Sequence, residues 1–307
     1  MNCILYPPLS IHEIGHRPNQ EDSISQWNNR LFVLCDGMGG HEKGEVASQT
    51  VCQSLTTWFE QKVNPDAPFT DDQLREALEY TYQQLDKFAD DNPKQMGTTL
   101  TLLYIYKQGL TAAHMGDSRI YHIRPDVGVL YQSRDHSLVF DLFQAGEITY
   151  EEMATFPQKN IVTRAITPGE DNRMRLDIIH ITDIQPDDYF YMCSDGMLEQ
   201  MDNDQLVDLL SSQLTNEEKR IKLIELTKGN QDNHSAWIIH IKDVIKEEDD
   251  DKLVNEEPTS RCNAINIIPQ IVEEDDNDVV IVRQAPKKNS FFMRLQTLFS
   301  FTKNKKK

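Results

Sequence analysis

The sequence predicts an α+β fold in which two antiparallel β-sheets pack face to face and helices cover their outer sides, in α-β-β-α layers. Strand candidates outnumber helix candidates in the first 245 residues. Many of these candidates are joined by short turn-forming segments, which favours antiparallel pairing because parallel strands need a long crossover. The few long amphipathic segments must each bury one face, and the outside of a sheet can cover it.

Six apolar runs are the main strand candidates. The clearest is residues 31–35, a continuous apolar run followed by Asp36 and Gly37, which predicts a buried strand that feeds a turn. The other five have compositions typical of strands. They are residues 98–106, 110–115, 120–123, 189–193 and 236–241.

Three segments predict helices. Residues 45–59 place apolar side chains close to a 3.6-residue period. Thr70 and Gln73 form a capping-box pattern that opens a helix ending near residue 89, and residues 215–218 repeat that pattern later in the chain.

The composition changes near residue 246, which predicts a folded domain over residues 1–245 and a separate tail over 246–307. Blocks of acidic residues resist collapse, so residues 246–290 are predicted to be a disordered linker. Residues 291–299 are apolar and precede a lysine-rich end, which is consistent with a short amphipathic helix that contacts an anionic membrane or a partner groove. The alternative is an unstructured terminus that happens to contain apolar residues.

The bulk properties exclude several classes of protein. A net charge of −19 argues against nucleic-acid binding, which needs a basic face. The five cysteines include no Cys-x-x-Cys pair, which argues against a disulfide framework and a zinc site. The first ten residues lack the pattern of a signal peptide, and no apolar stretch approaches the roughly 18 residues of a transmembrane helix. A cytoplasmic setting fits these features best.

Acidic residues recur at the edges of the predicted strands. They are Glu21, Asp22, Asp36, Asp117, Asp195 and Asp232. A single Asp-Gly pair is ordinarily a turn signal, but five acidic sites at strand edges could converge at one end of a sandwich. Converging carboxylates are costly unless protons or cations lie among them.

Clustered carboxylates predict a site for hard divalent ions. Oxygen ligands suit Mg²⁺ and Mn²⁺, whereas histidine and cysteine sets suit zinc. Two such ions can share a water and present it as hydroxide, which suits the hydrolysis of phosphate esters. No Cys-x5-Arg loop is present, and Gly39, Gly40 and Gly44 lack the lysine of a Walker A loop.

Six motifs in order resemble the PP2C (PPM) phosphatases, most of all their compact bacterial branch. The motifs are residues 17–22 (RPNQED), 35–41 (CDGMGGH), 97–99 (GTT), 114–119 (HMGDSR), 194–196 (SDG) and 232–233 (DN). The resemblance covers about residues 10–242. It implies a β-sandwich flanked by pairs of helices, with a two-metal site of Mn²⁺ or Mg²⁺ in the cleft between the sheets.

The resemblance implies a role for each acidic residue. Asp36 should bridge both metals, and the carbonyl of Gly37 should bind one of them. Asp195 and Asp232 should complete the other site, and Asp117 should hold a third, looser ion together with Asp195. Glu21 and Asp22 match the pair that holds metal or metal-bound water.

The resemblance also implies groups that handle the substrate. Arg17 matches the arginine that binds the substrate phosphate, a task that suits a guanidinium; the alternative is a surface ion pair with Glu21 or Asp22. Residues 133–165 resemble the bacterial flap, which would lie beside the cleft and influence substrate choice and metal loading.

The motifs do not identify the proton donor for the leaving group. Animal members often have a histidine where this chain has Met38. His41 is a candidate acid, but it could equally be structural, and metal-bound water could replace it.

These features predict one-step, metal-dependent hydrolysis of phosphoserine and phosphothreonine in proteins. The resemblance implies phosphoprotein substrates and, as a further partner, a Ser/Thr kinase or its targets. Two alternatives remain at this point: a catalytically silent PP2C-like regulatory binding module, and another two-metal hydrolase acting on nucleotides or phosphodiesters.

Overall fold

A computed structural model describes residues 2–39, 43–89, 96–153, 155–169 and 173–245. The strands are β1 (Asn2–Leu5), β2 (Leu9–Glu13), β3 (Asp22–Trp27), β4 (Leu31–Gly39), β5 (Met96–Thr98), β6 (Leu100–Tyr106), β7 (Gly109–Met115), β8 (Arg119–Arg124), β9 (Gly128–Gln132), β10 (Asp177–Ile181), β11 (Tyr189–Cys193) and β12 (His234–Ile245). The α-helices are α1 (Lys43–Lys62), α2 (Asp71–Leu85), α3 (Leu138–Gln144), α4 (Tyr150–Met153), α5 (Asn203–Leu210) and α6 (Asn216–Thr227). Short 3₁₀ turns cover Asp86–Phe88 and Asp195–Leu198.

The strands form two antiparallel sheets. One has the order β1-β12-β11-β8-β9, with β2 paired to β12, and the other has the order β10-β7-β6-β4-β3, with β5 paired to β4. Alternate side chains of β4 show which face of its sheet packs on the other sheet and which packs on helices. Phe32 and Leu34 pack between the sheets with β11 and β12, whereas Val33 and Cys35 pack against α1 and α2.

The opposite sheet repeats this arrangement. Phe190 and Met192 of β11 face the other sheet, whereas Tyr191 and Cys193 face a third apolar cluster that includes residues of α5 and α6. The molecule therefore has α-β-β-α layers, and the predicted fold class is confirmed. No helix in the described ranges is long and apolar enough to cross a membrane.

The prediction for the end of β4 was wrong. The strand continues through Asp36 to Gly39, because β5 pairs with Gly37–Gly39. The predicted strand 98–106 is correspondingly two strands that break at Thr99. At the break, the hydroxyl of Thr99 accepts a hydrogen bond from the Asp36 amide at 2.9 Å, in place of a backbone carbonyl.

The helix predictions hold with small shifts at their ends. The second helix, predicted to end near residue 89, ends at Leu85 and continues as the 3₁₀ turn. The capping boxes at Thr70 and Thr215 both form. The predicted tail, residues 246–307, lies outside the described residues.

Candidate active site

The acidic residues come from the ends of strands in both sheets. Asp22 begins β3 and lies directly opposite Asp36 on β4, and Asp117 follows β7. In the other sheet, Asp195 begins the turn after β11 and Asp232 precedes β12. The strand ends meet at one end of the sandwich. The structure therefore brings together the carboxylates that the sequence singled out.

Burial and mutual repulsion disfavour the charged forms of these groups. Burial, followed by the charges of Asp22, Asp195, Asp117 and Asp232, raises the pKa of Asp36 well above its usual range. Burial also raises the pKa of Asp22 to about 7, and burial with the Asp195 charge raises that of Asp117 to about 7. The charges of four neighbouring aspartates therefore all act on Asp36, which places its carboxylate among theirs.

The donor set fits hard divalent cations. Asp22 is almost fully buried, and its Oδ1 has no hydrogen-bond partner among the described residues, while its Oδ2 accepts from Ser194 Oγ at 2.8 Å. A buried carboxylate oxygen without a donor is costly, and a cation would offset that cost. The acidic side chains offer oxygen atoms as metal ligands, and oxygen is the ligand type that Mg²⁺ and Mn²⁺ prefer.

The backbone around Asp36 is held by two threonines. Thr98 Oγ1 donates to the Asp36 carbonyl at 2.9 Å, and the Thr99 amide donates to the same carbonyl at 2.8 Å. With the Asp36 amide bonded to Thr99, both backbone groups of Asp36 are satisfied. The backbone that carries the carboxylate is thus held by the last residue of β5 and by the residue between β5 and β6.

Close backbone contacts beside Asp36 leave no room for a side chain at Gly37. A Cβ there would lie 2.1 Å from the carbonyl oxygen of Gly44 in the first turn of α1. The Gly37 amide donates to the Glu21 carbonyl at 3.0 Å, and a Cβ on Gly44 would lie 2.9 Å from the Glu21 carboxyl carbon. Gly37 and Gly44 therefore allow the Glu21 segment, β4 and α1 to meet at the cluster.

Arg17 is the guanidinium at the edge of the cluster. Its Nη2 lies 2.6 Å from Asp232 Oδ2, and its side chain is 52% exposed. The alternative ion pair with Glu21 or Asp22 is therefore replaced by a pair with Asp232. One nitrogen makes that contact, and a guanidinium has further N–H donors that can bind a phosphate.

Comparison with known proteins decides the family. A family model for protein phosphatase 2C matches residues 12–228. This chain belongs to the protein phosphatase 2C family. Protein phosphatase PhpP of Streptococcus pneumoniae is 31% identical to this PP2C phosphatase over 241 residues, which are 74% of this chain and 94% of PhpP.

Solved structures agree with this assignment. The serine/threonine phosphatase PstP/Ppp of Mycobacterium tuberculosis matches with a TM-score of 0.69 at 28% identity, over 78% of this chain and 100% of that chain. A catalytic domain of PstP in complex with two manganese ions matches with a TM-score of 0.63 at 29% identity, over 78% and 99%. The chain is a protein serine/threonine phosphatase of the bacterial type, from a metal-dependent family.

Some residues that shape the site of this PP2C phosphatase were not singled out from the sequence. Ser194 bonds Asp22 and also accepts from the Ser235 amide at 2.9 Å, which joins the two sheets beneath the cluster. Glu199 accepts from the amides of Gln231 and Asp232 at 2.8 and 3.1 Å and shapes the turn that carries Asp232. Ser194 belongs to the motif at residues 194–196, but no sequence pattern indicates a role for Glu199.

Two further residues of the motifs, Asn233 and His41, remain to be placed. Asn233, the second residue of the last motif, uses its side chain to accept from the Glu21 amide at 2.8 Å and to donate to the carbonyls of Ile14 and Asn19. It therefore anchors the Arg17 to Glu21 segment to β12. His41, the candidate acid, lies outside the described residues.

Proposed function

We propose that the carboxylate cluster of this phosphatase holds two divalent cations, Mn²⁺ or Mg²⁺, at which phosphoserine and phosphothreonine in proteins are hydrolysed in one step. When bound, such ions supply a water of lowered pKa and neutralise charge on the phosphoryl oxygens. The observation that carries the proposal is the gathering of Asp22, Asp117, Asp195 and Asp232 around Asp36, whose pKa is raised by burial and by these charges, together with a buried Asp22 oxygen that lacks a hydrogen-bond donor.

We assign each acidic residue a part in holding the ions. Asp36, which feels the charges of four neighbouring carboxylates, would be the ligand shared by both ions, and the Gly37 carbonyl would bind one of them. Asp195 and Asp232 would hold the second ion. Burial and then the charge of Asp232 raise the pKa of Asp195, consistent with a shared cation between the two.

Three further acidic residues complete the set. Glu21 directly precedes β3 and Asp22 begins it, and both would hold metal or metal-bound water. The Asp195 charge is the largest of the neighbouring charges that raise the pKa of Asp117. Asp117 would accordingly share a third, looser ion with Asp195.

Arg17 binds the substrate phosphate. Its guanidinium is half exposed at the edge of the cluster, where a phosphoryl group beside the carboxylates would meet it. A phosphate bound beside Asp232 would be repelled by the carboxylates of the cluster. The positive charges of Arg17 and of bound cations would offset that repulsion.

The substrates are proposed to be phosphoproteins, and the catalytic domain is proposed to be residues 1–245. The test compares a phosphothreonine peptide, a nucleotide and a phosphodiester at one Mn²⁺ concentration. The peptide should have the highest kcat/KM by at least about tenfold, a difference of ~1.4 kcal/mol in barrier. Equal or faster hydrolysis of the diester or the nucleotide would favour the other two-metal hydrolase.

A further inference from the structure

A second group of titratable side chains lies beside the carboxylate cluster. We call it the His136 cluster, and it consists of His114, His136, Arg164 and Asp177. The rings of His114 and His136 stack with centroids 4.7 Å apart and planes 10° apart. Both histidines are almost fully buried, and the proposed phosphatase chemistry uses neither of them.

His136 holds both backbone groups of Gly116, the residue before Asp117. The His136 amide donates to the Gly116 carbonyl at 2.9 Å, and the Gly116 amide donates to His136 Nδ1 at 3.0 Å. On its other side Gly116 presses on Thr99, whose side chain a Cβ at Gly116 would meet at 2.6 Å. The backbone from which Asp117 projects is thus clamped between His136 and Thr99.

The hydrogen bonds determine which nitrogen of His136 carries the proton. Because Nδ1 accepts from an amide, the neutral ring carries its proton on Nε2. Nε2 lies 2.9 Å from Asp177 Oδ2 and donates to it. Arg164 Nη1 pairs with the other carboxylate oxygen of Asp177 at 2.9 Å, which holds that acceptor in place.

A metal ion is a less suitable occupant of this cluster. Ligand atoms of His114, His136 and Asp177 do lie within 4.8 Å of one another. However, the Arg164 guanidinium already lies 2.9 Å from Asp177 and 3.0 Å from His136 Nε2. A cationic side chain in contact with two of the three ligands opposes a metal ion, and it suits a hydrogen-bonded support.

The same cluster connects the flap region to the carboxylates. The carbonyl of His136 accepts from the Thr163 amide at 2.8 Å. Three residues further on, Ile166 exchanges two backbone hydrogen bonds with Thr98, whose side chain bonds the Asp36 carbonyl. One short segment of chain therefore contacts the supports of both Asp117 and Asp36.

We propose that His136 is a positioning residue for the loosest metal site: its neutral ring, oriented by Asp177 and Arg164, fixes the Gly116 backbone and so directs the Asp117 carboxylate. The proposal rests on the proposed role of Asp117. It makes the end of the flap region and the residue after it, Thr163 to Ile166, part of the support for metal binding and not only a neighbour of the cleft. Supports of this kind typically change metal affinity about 10–100-fold.

Two substitutions at one position separate the hydrogen bond from the volume of the ring. In His136→Asn, the side-chain oxygen can occupy the place of Nδ1 and accept from the Gly116 amide. In His136→Gln, the amide reaches toward Asp177 and no acceptor remains at the place of Nδ1. Asp177→Asn is a third variant, on a side chain that is 44% exposed. Asp177 offers one oxygen to Arg164 and the other to His136, whereas Asn has a single acceptor oxygen for both, so the variant disturbs the orientation of the ring without removing buried volume.

The first readout is amide hydrogen exchange at Gly116 in metal-free protein, which does not depend on catalysis. Loss of one hydrogen bond should speed this exchange by up to about tenfold in His136→Gln and less in His136→Asn. The second readout is direct Mn²⁺ binding by calorimetry. The weakest class of sites is identified as the one that Asp117→Ala removes.

The expected result is that His136→Gln and Asp177→Asn weaken the weakest Mn²⁺ class by about 10–100-fold, while His136→Asn stays within about threefold of the wild type. If His136→Gln does not fold, as judged by circular dichroism, Asp177→Asn carries the test. Indistinguishable His136→Asn and His136→Gln variants, or an Asp177→Asn variant with wild-type binding, would overturn the proposal.

Failure of the proposed function would look different. In that case wild-type protein would bind no Mn²⁺ class that Asp117→Ala removes. Gly116 exchange would still report whether His136 holds the turn.

Discussion

At the scale of single residues, burying the carboxylates of the site close together costs folding free energy. Asp22 and Asp36 are drawn from opposed strands into a region where burial raises both pKa values. In the metal-free protein, removing one charge from this group should relieve repulsion, while in the metal-bound protein it should remove a ligand. Stability and activity should therefore respond in opposite directions.

Asp36→Asn tests this opposition. We expect phosphopeptide turnover to fall by at least about 10³-fold, since a metal supplies several kcal/mol of transition-state stabilisation. The melting temperature of the metal-free variant at pH 8 should rise, because the variant no longer holds in the cluster a carboxyl group whose pKa is raised by burial and neighbouring charges. Asp72→Asn, at a side chain that is 84% exposed, is the matched control and should change neither quantity. A variant that keeps wild-type turnover with Mn²⁺ bound would refute the shared-ligand assignment.

Arg17→Lys separates phosphate binding from metal binding. A lysine keeps the charge but loses the paired N–H donors, so kcat/KM for a phosphothreonine peptide should fall about 10–100-fold, equivalent to ~1.4–2.7 kcal/mol. Mn²⁺ affinity measured by calorimetry should not weaken, because Arg17 is not a proposed metal ligand and lysine keeps the positive charge beside Asp232. Arg75→Lys, which alters an exposed pair on α2, is the control. Unchanged kcat/KM in Arg17→Lys would mean that another group binds the phosphate.

At the scale of elements, glycines allow the turns that carry ligands to approach other strands. A Cβ on Gly196, in the turn after β11, would lie 2.0 Å from the carbonyl oxygen of Asn233. The carbonyl of Gly196 also accepts from Asn230 Nδ2 at 2.5 Å. The Asp195 turn and the Asp232 turn are thus in direct backbone contact, and their spacing sets the distance between two proposed ligands.

Gly196→Ala should push these two turns apart. We expect a loss of about 1–3 kcal/mol in the free energy of unfolding from overpacking, and a fall in turnover of about 10²-fold from misplaced ligands. Gly229→Ala is the matched control, because its Cβ would meet only the end of the Gln200 side chain, at 3.2 Å. Chemical denaturation and peptide hydrolysis measure the two effects. Equal behaviour of the two variants would show that the turn spacing does not matter.

The elements also show where sequence reasoning succeeds and where it stops. Residues 31–35 alternate between two buried faces, so the apolar run identified the strand correctly. The continuation to Gly39 was missed, because Asp36-Gly37 is a turn signal unless another strand, here β5, supplies partners. A local sequence pattern reports the secondary-structure propensity of nearby residues. The pairing of β4 with β5 joins residues about sixty positions apart, so a local pattern does not reveal it.

The same limit applies to the site. The aspartates were found because their positions at strand ends and their motifs are visible in the sequence. Their supports were missed, since Glu199 and His136 act through backbone groups that come near only after folding. The partner of Arg17 was misjudged for a similar reason: Asp232 is 215 residues away, whereas Glu21 and Asp22 are close in sequence.

At the scale of the whole molecule, the raised pKa values link protons, metal and stability. The folded metal-free protein holds protons on Asp22 and Asp117 with pKa values of about 7, well above the roughly 3.9 of an unfolded aspartate. Folding therefore takes up protons in this range, and stability must fall as pH rises through 7. His114 acts in the opposite direction, because burial lowers its pKa to about 4, but that effect is complete above about pH 6.5, the ordinary pKa of histidine.

The melting temperature of metal-free protein should accordingly decrease between about pH 6.5 and 8, a window below the ordinary pKa of cysteine. Saturating Mn²⁺ should abolish or reverse the decrease, since cations replace the protons, and its affinity should increase with pH. Calorimetric scans in chelator and in Mn²⁺ measure both. A metal-free melting temperature that is constant or increases across the window would contradict the electrostatic description of the cluster.

The most direct test of the central claim measures Mn²⁺ binding and phosphothreonine-peptide hydrolysis together, for the wild type and Asp195→Asn. The two-metal account predicts that the wild type binds at least two ions and hydrolyses the peptide only when they are bound. Asp195→Asn should remain folded, lose part of the bound Mn²⁺ and lose turnover by about 10³-fold. Hydrolysis by metal-free wild type, or full turnover by Asp195→Asn, would contradict the account.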